Sequence, residues 1–230
     1  MDDSIEFKSL YFSAEEIYNL RNYKYIGSDE GYLYKAFFNP VANFIVEYVP
    51  AYVAPNTLTM IGFGFTVSIF ATMFGVYGID MDGEVGRWWY FYSAFAFLGY
   101  RIFDEMDGKQ ARRTKNSSVL GMVLDHGCDS FSCLLLMMAS MKGCQMGSNL
   151  GAFVIQIVLM GAFLFIVLEE YYKGYFKLGP GNAVSDGSAI VIGGFLFSGI
   201  MGYKFWANEV ELFGIPFRYG QLLIGSQAII

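Results

Sequence analysis

Charge is what this chain has least of. Only 16% of its 230 residues are charged, against about a quarter in soluble domains, and mean hydropathy is +0.40. That is too little polar surface for an ordinary cytosolic enzyme, while 55% hydrophobic residues exclude a disordered chain. Basic residues are outnumbered, 15 Lys and Arg against 21 Asp and Glu, so no basic stripe is available and no nucleic-acid partner is expected. The three cysteines, Cys128, Cys133 and Cys144, sit in apolar context, too few for a disulfide framework, and read as buried thiols. The first 30 residues lack a positive stretch followed by an apolar one, so they do not form a signal peptide. No internal repeat or low-complexity segment is present.

What the chain does have is long uncharged runs and aromatics, which make up 19% of it. Leu58 to Ile79 is 22 residues without a charge, and Gly143 to Leu168 is 26, each enough to cross a hydrocarbon core of roughly 30 Å. Gly187 to Tyr203 adds 17, and Trp88 to Tyr100 adds 13 before continuing through Arg101. Ser117 to Met141 is apolar apart from Asp125, His126 and Asp129, and Leu212 to Ile230 carries one Arg218. The pattern predicts an all-α, polytopic transmembrane helix bundle with five spans and part of a sixth, ending within an apolar run. Trp88 and Trp89 read as an interfacial aromatic belt.

Residues 1–52 differ in composition. Tyr34 to Tyr52 mixes aromatics with Lys35, Asn39 and Glu47, which predicts an N-terminal interfacial amphipathic helix lying along the membrane. Pro55-Asn56-Thr57 then starts the first span, with Asn56 as its N-cap. The division expected is a cytoplasmic or interfacial segment over 1–52 and a membrane domain over 53–230. Lys109, Arg112, Arg113 and Lys115 crowd the loop after the second span, which the positive-inside rule assigns to the cytoplasm.

Four aspartates lie in or beside these runs: Asp104, Asp107, Asp125 and Asp129. An ionised carboxylate at the bilayer centre costs about 2.5–3.5 kcal/mol, so four cost on the order of 10 kcal/mol unless something offsets them. Spacings of three and four put each pair on one helix face. Gly121, four before Asp125, leaves that face open to a close neighbour or a phosphate. Four converging acids repel unless cations sit among them. An oxygen-only ligand set selects Mg²⁺ or Mn²⁺, and two such ions are a common clamp for a phosphoryl group. Gly108 is expected to break the helix after Asp107, gathering Lys109, Arg112 and Arg113 where a diphosphate needs partners.

From Asp104 to Asp129 the chain reads D-x2-D-G-x2-A-R-x8-G-x3-D-x3-D, through Gly108, Ala111, Arg112 and Gly121. Eight fixed residues arise by chance at roughly one start in ten billion. This pattern resembles the signature of the CDP-alcohol phosphotransferase family. DGKQARRT, SS-x-LG and DHGCDS, with Tyr23-Lys24-Tyr25, Gly27 and Asp29, the segment Ala54 to Thr59, and Glu169 to Gly187, are similar to its choline/ethanolamine phosphotransferase branch. Members carry further membrane helices at the C-terminus, so the resemblance implies a C-terminally short chain.

The resemblance implies transfer of phosphoethanolamine or phosphocholine from CDP-ethanolamine or CDP-choline to diacylglycerol, releasing CMP. It implies two Mg²⁺ or Mn²⁺ ions on Asp104, Asp107, Asp125 and Asp129, with Asp125 bridging. Arg112, with Lys109 and Arg113, is implied on phosphate oxygens, and Asn56, Gly108, Ala111 and Gly121 beside the nucleotide. The general base is open between Asp129 and His126, the chain's single histidine. An imidazole titrates nearer neutral pH, and His126 with Asp186 behind it is favoured. Glu169 and Glu170 read as ordinary interface residues. An endoplasmic reticulum or Golgi membrane, a cytoplasm-facing site and a homodimer are further implications. Three alternatives stay open: another transferase of the family (inositol- or ceramide-linked), a non-catalytic remnant, and a cation transporter.

Overall fold

The computed structural model describes residues 12–22, 25–212 and 215–227. Tyr23 and Lys24 of the resemblance lie outside them, as do residues 213–214 and 228–230 of the last apolar stretch.

Helix α1 (Ala14–Arg21) opens with a capping box, in which the Ser13 hydroxyl accepts from the Glu16 N–H and the Glu16 carboxylate accepts from the Ser13 N–H. Strand β1 (Gly27–Asp29) follows and pairs in parallel with β2 (Phe176–Leu178), Gly27 opposite Phe176 and Asp29 opposite Leu178. A π-helical turn (Tyr34–Phe38) leads into α2 (Asn39–Val46). Phe38, Ala42 and Val46, four apart, form the buried stripe of this segment, and Ala42 and Val46 pack with Leu58 and Met106. The helix is shorter than the Tyr34–Tyr52 stretch predicted. Pro50 disfavours helix at Val49, and the Arg113 guanidinium takes up the carbonyls of Val46 and Val49.

Five longer helices occupy the five predicted runs: α3 (Pro55–Tyr77), α4 (Arg87–Thr114), α5 (Val119–Gly143), α6 (Leu150–Lys173) and α7 (Ser185–Met201). Among the described residues three of them, α3, α5 and α6, are long and apolar enough to cross a membrane, and α7 is a shorter apolar helix. The 28 residues of α4 include the charged Asp104–Arg113 half, which lowers its hydropathy.

Two local predictions are corrected here. Asn56 is not the N-cap: Ala54 holds that place, with Pro55 in the first turn, where its missing N–H costs nothing. Gly108 does not break α4, which runs on to a left-handed Lys115 (φ 57°). One glycine costs a helix about 1 kcal/mol, and α4 stays helical through Gly108 while packed against α2 and α3.

The last apolar stretch does not begin a sixth span in the described residues. After α8 (Tyr203–Ala207), strands β3 (Glu209–Leu212) and β4 (Ile215–Arg218) pair antiparallel, and α9 (Tyr219–Gln227) has nine residues. Pro216 cannot sit inside a helix and fits an outer strand.

α4 packs against α3 and α7, and α5 against α3, around Ile69, Met73, Trp89, Tyr90, Phe97, Ala139 and Phe195. Trp89 belongs to this core: it is fully buried, edge-on to Phe195, its indole N–H donating to the Ile69 carbonyl at 3.3 Å. Only Trp88 of the predicted belt pair is exposed. Gly143 lets α5 close on Trp89 and Tyr90, since a Cβ there would lie 3.2 Å from both rings. The buried Lys142 ammonium donates to the carbonyls of Tyr77, the last residue of α3, of its C-cap Gly78, and of Asp80 in the loop beyond. This lock fixes the ends of α3 and α5 furthest from the aspartates.

Candidate active site

The C-terminal half of α4 and the N-terminal half of α5 enclose a cavity of about 650 Å³. Asp104, Asp107, Gly108, Ala111 and Arg112 face it from α4, and Gly121, Asp125, His126 and Asp129 from α5. α3 adds Asn56 and Thr59, α6 adds Phe163, Ile166 and Val167, and the β1–β2 pair closes one side with Gly27, Ser28, Asp29, Phe176 and Leu178. The cavity is therefore polar on the α4–α5 side and apolar along α6.

Carboxylate oxygens of Asp104, Asp125 and Asp129 lie within 4.8 Å of one another. Asp107 lines the same cavity but falls outside that trio, and its Oδ2 accepts from the Thr59 hydroxyl at 2.5 Å. Asp129 Oδ1 accepts from the Tyr100 hydroxyl at 2.6 Å, and Asp104 accepts from the Arg101 guanidinium. Asp125 Oδ1 is buried with no hydrogen-bond partner. An orphaned carboxylate oxygen among hard oxygen donors fits a divalent cation such as Mg²⁺ or Mn²⁺. Arg101, 4% exposed, also reaches Glu105 Oε1 at 3.2 Å and lies over the Phe38 ring.

The predicted basic trio separates. Arg112 lines the cavity, its guanidinium 3.4 Å from where a Cβ on Gly108 would sit, so the glycine gives that side chain its room. Lys109 and Arg113 do not line it. Lys109 donates to Asn39 Oδ1 at 2.7 Å and sits over the Tyr34 ring, while Arg113 holds the carbonyls of Val46 and Val49. These two cations fasten the α2 region to α4. Burial pushes the Tyr34 phenol up, and the nearby Glu105 and Asp29 add to the effect. Asn56 Oδ1 and Ser118 Oγ lie 3.4 and 3.3 Å from where a Cβ on Gly121 would sit, so a larger residue would crowd both.

His126 and Asp186 do not meet. His126 Nδ1 lies 3.4 Å from Glu170 Oε2 on α6. Asp186 accepts instead from the N–H groups of Tyr32, Leu33 and Gly181, at 3.1, 2.6 and 2.8 Å. Asp29 mirrors it, accepting from the Gly31 N–H at 2.7 Å, from Asn182 at 2.9 Å and from the Ser185 hydroxyl. The two aspartates staple the segment after β1 to the start of α7. Glu170, read from sequence as an interface residue, was findable: α6 returns antiparallel to α5, so the acid ending its apolar run comes level with His126. Glu169, beside it, pairs with the exposed Lys173.

A sequence profile of the family described as CDP-alcohol phosphatidyltransferase matches residues 52–208. A Dictyostelium discoideum protein named "Uncharacterized CDP-alcohol phosphatidyltransferase class-I family protein 1" is 32% identical over 95% of this chain and 57% of its own length. Choline/ethanolaminephosphotransferase 2 of Arabidopsis thaliana is 32% identical over 90% of this chain and 54% of its own length. Cholinephosphotransferase 1 of Danio rerio is 31% identical, covering 88% and 53%. The chain thus spans about half the length of the curated relatives it matches. With its apolar helices and its aspartate cluster, it is an integral membrane protein that belongs to the CDP-alcohol phosphatidyltransferase family.

Proposed function

We propose that this chain transfers phosphoethanolamine or phosphocholine from the CDP-alcohol to the hydroxyl of diacylglycerol, releasing CMP. The observation that carries the reading is the convergence of Asp104, Asp125 and Asp129 in one cavity with Arg112 and His126, whose Nδ1 lies 3.4 Å from Glu170 Oε2. The relatives named for choline and ethanolamine phosphotransfer support the donor class.

Asp104, Asp125 and Asp129, joined by Asp107, would hold two Mg²⁺ or Mn²⁺ ions. When bound, these supply positive charge against the diphosphate and against the CMP phosphate as it leaves. Arg112 grips phosphate oxygens with the planar fork of its guanidinium, and Asn56, Gly108, Ala111 and Gly121 shape the nucleotide side. The diacylglycerol hydroxyl approaches from the apolar α6 side, past Phe163, Ile166 and Val167. Its oxygen forms a bond to the phosphorus bearing the head-group alcohol, the bond from that phosphorus to the CMP oxygen breaks, and the hydroxyl proton passes to His126. Glu170 orients the imidazole and stabilises the imidazolium that forms. Asp129 serves here as a ligand carboxylate, and Asp186 holds the β1–α7 staple.

The basic end of α4 supports a cytoplasm-facing site, and the family resemblance supports an endoplasmic reticulum or Golgi membrane. The test is to offer labelled CDP-ethanolamine and labelled CDP-choline separately with diacylglycerol to membranes carrying the folded chain. Label in phosphatidylethanolamine or phosphatidylcholine is the expected result, and the product names the head group. No labelled lipid from either donor rejects the reading for this chain.

A further inference from the structure

Three of the four aspartates are held from behind by side chains that the eight-residue signature does not contain. The Thr59 hydroxyl, on α3, donates to Asp107 Oδ2 at 2.5 Å; the Tyr100 hydroxyl, on α4, donates to Asp129 Oδ1 at 2.6 Å; and Arg101 holds Asp104. Thr59 is 6% exposed and Tyr100 9%, so water does not compete for these bonds. Each hydroxyl has one proton and gives it to a carboxylate. That occupies one oxygen of the pair and fixes the plane in which the other points.

Both donors are themselves constrained. Thr59 is β-branched and stiff about its first side-chain torsion. The Tyr100 ring packs in the core, 5.7 Å from the Phe97 ring and under the Arg101 guanidinium. Asp125 keeps one buried oxygen, Oδ1, without a hydrogen-bond partner, which a cation would satisfy.

We infer that Thr59 and Tyr100 are positioning residues for the divalent-metal site, one for each aspartate pair, setting metal affinity through the orientation of Asp107 and Asp129. The inference rests on the metal reading of the aspartate cluster made above. Outer partners of ligating carboxylates typically set metal affinity by about 10–100-fold.

The test is a Mn²⁺ titration of the purified chain in detergent, free ion being read by its electron paramagnetic resonance signal and melting temperature measured in EDTA. Tyr100→Phe and Thr59→Val each remove one hydroxyl with little change of shape and are expected to weaken Mn²⁺ binding by about 10–100-fold. Thr59→Ser keeps the hydroxyl but not the β-branch, and is expected to retain most of the Mn²⁺ affinity that Thr59→Val loses. Lys142→Met, which strips the lock at the opposite end of α5, controls for stability and is expected to leave Mn²⁺ affinity in place. Unchanged affinity in Tyr100→Phe and Thr59→Val overturns the inference, as does equal weakening in Thr59→Ser or Lys142→Met. An unaltered chain that binds Mn²⁺ but forms no labelled lipid defeats the transfer reading while the titration still decides the roles of Thr59 and Tyr100. A chain that binds no Mn²⁺ overturns both.

Discussion

The imidazole of His126 meets the carboxylate of Glu170, 3.4 Å from Nδ1 to Oε2, across the α5–α6 contact. An acid on one helix thereby faces the single histidine on another, and in the proposed reaction it is the imidazole that takes the substrate proton. The rings of Tyr25 and Phe176 flank the imidazole, with centroids 6.4 and 5.8 Å away.

This pairing separates two acids that sequence alone could confuse. His126→Asn is expected to slow transfer by about 10²–10⁴-fold, the range for loss of a general base. Glu170→Gln is expected to lower kcat on the order of 10²-fold with little change in donor KM. Asp186→Asn is expected to lower the melting temperature, by loosening the staple to Tyr32, Leu33 and Gly181, with a far smaller effect on kcat. Steady-state kinetics and thermal melts on the three variants check this ordering. A kcat loss in Asp186→Asn matching that of Glu170→Gln contradicts it.

The basic residues divide in the same way. Arg112→Ala is expected to raise the KM for the CDP-alcohol by at least about tenfold, one lost charge-assisted bond being worth ~1.5–3 kcal/mol. Arg112→Lys does not restore it fully, because an ammonium lacks the planar fork. Arg113→Ala is expected to leave that KM in place and to destabilise the α2–α4 contact, where its guanidinium holds the carbonyls of Val46 and Val49. Donor titrations beside thermal melts separate the two outcomes.

Lys142 gives a prediction about the fold alone. Its ammonium, 1% exposed, satisfies three carbonyls around the end of α3. Lys142→Met is expected to cost about 1–3 kcal/mol, because those carbonyls lose their partner. A detergent-unfolding titration measures it. An unchanged midpoint contradicts the capping role.

The sequence made the scaffold legible where one physical signal dominated. Uncharged runs such as Leu58–Ile79 and Gly143–Leu168 located α3 and α6 because burying apolar length needs no knowledge of neighbours. The spacing of Asp104, Asp107, Asp125 and Asp129 located the cavity because helical periodicity alone puts each pair on one face. What stayed hidden depends on how helices pack. Gly108 carries a helix-breaking signal that packing overrides. Lys109 and Arg113 look identical to Arg112 until α2 is seen beside them. Thr59 and Tyr100 lie 48 and 29 residues from the aspartates they serve, so no local spacing joins them. The antiparallel pairing of β3 with β4 stayed hidden because hydropathy does not register the helix-excluding Pro216.

The most direct measurement is product formation with the metal removed and restored. Membranes carrying the chain receive the labelled CDP-alcohol and diacylglycerol in Mg²⁺, in EDTA, and in EDTA followed by excess Mg²⁺ or Mn²⁺, beside Asp125→Ala. Labelled phospholipid that disappears in EDTA, returns with the added ion and never forms with Asp125→Ala is the predicted result. Labelled phospholipid that persists in EDTA, or that Asp125→Ala still makes at the full rate, contradicts the aspartate cluster as the seat of the reaction.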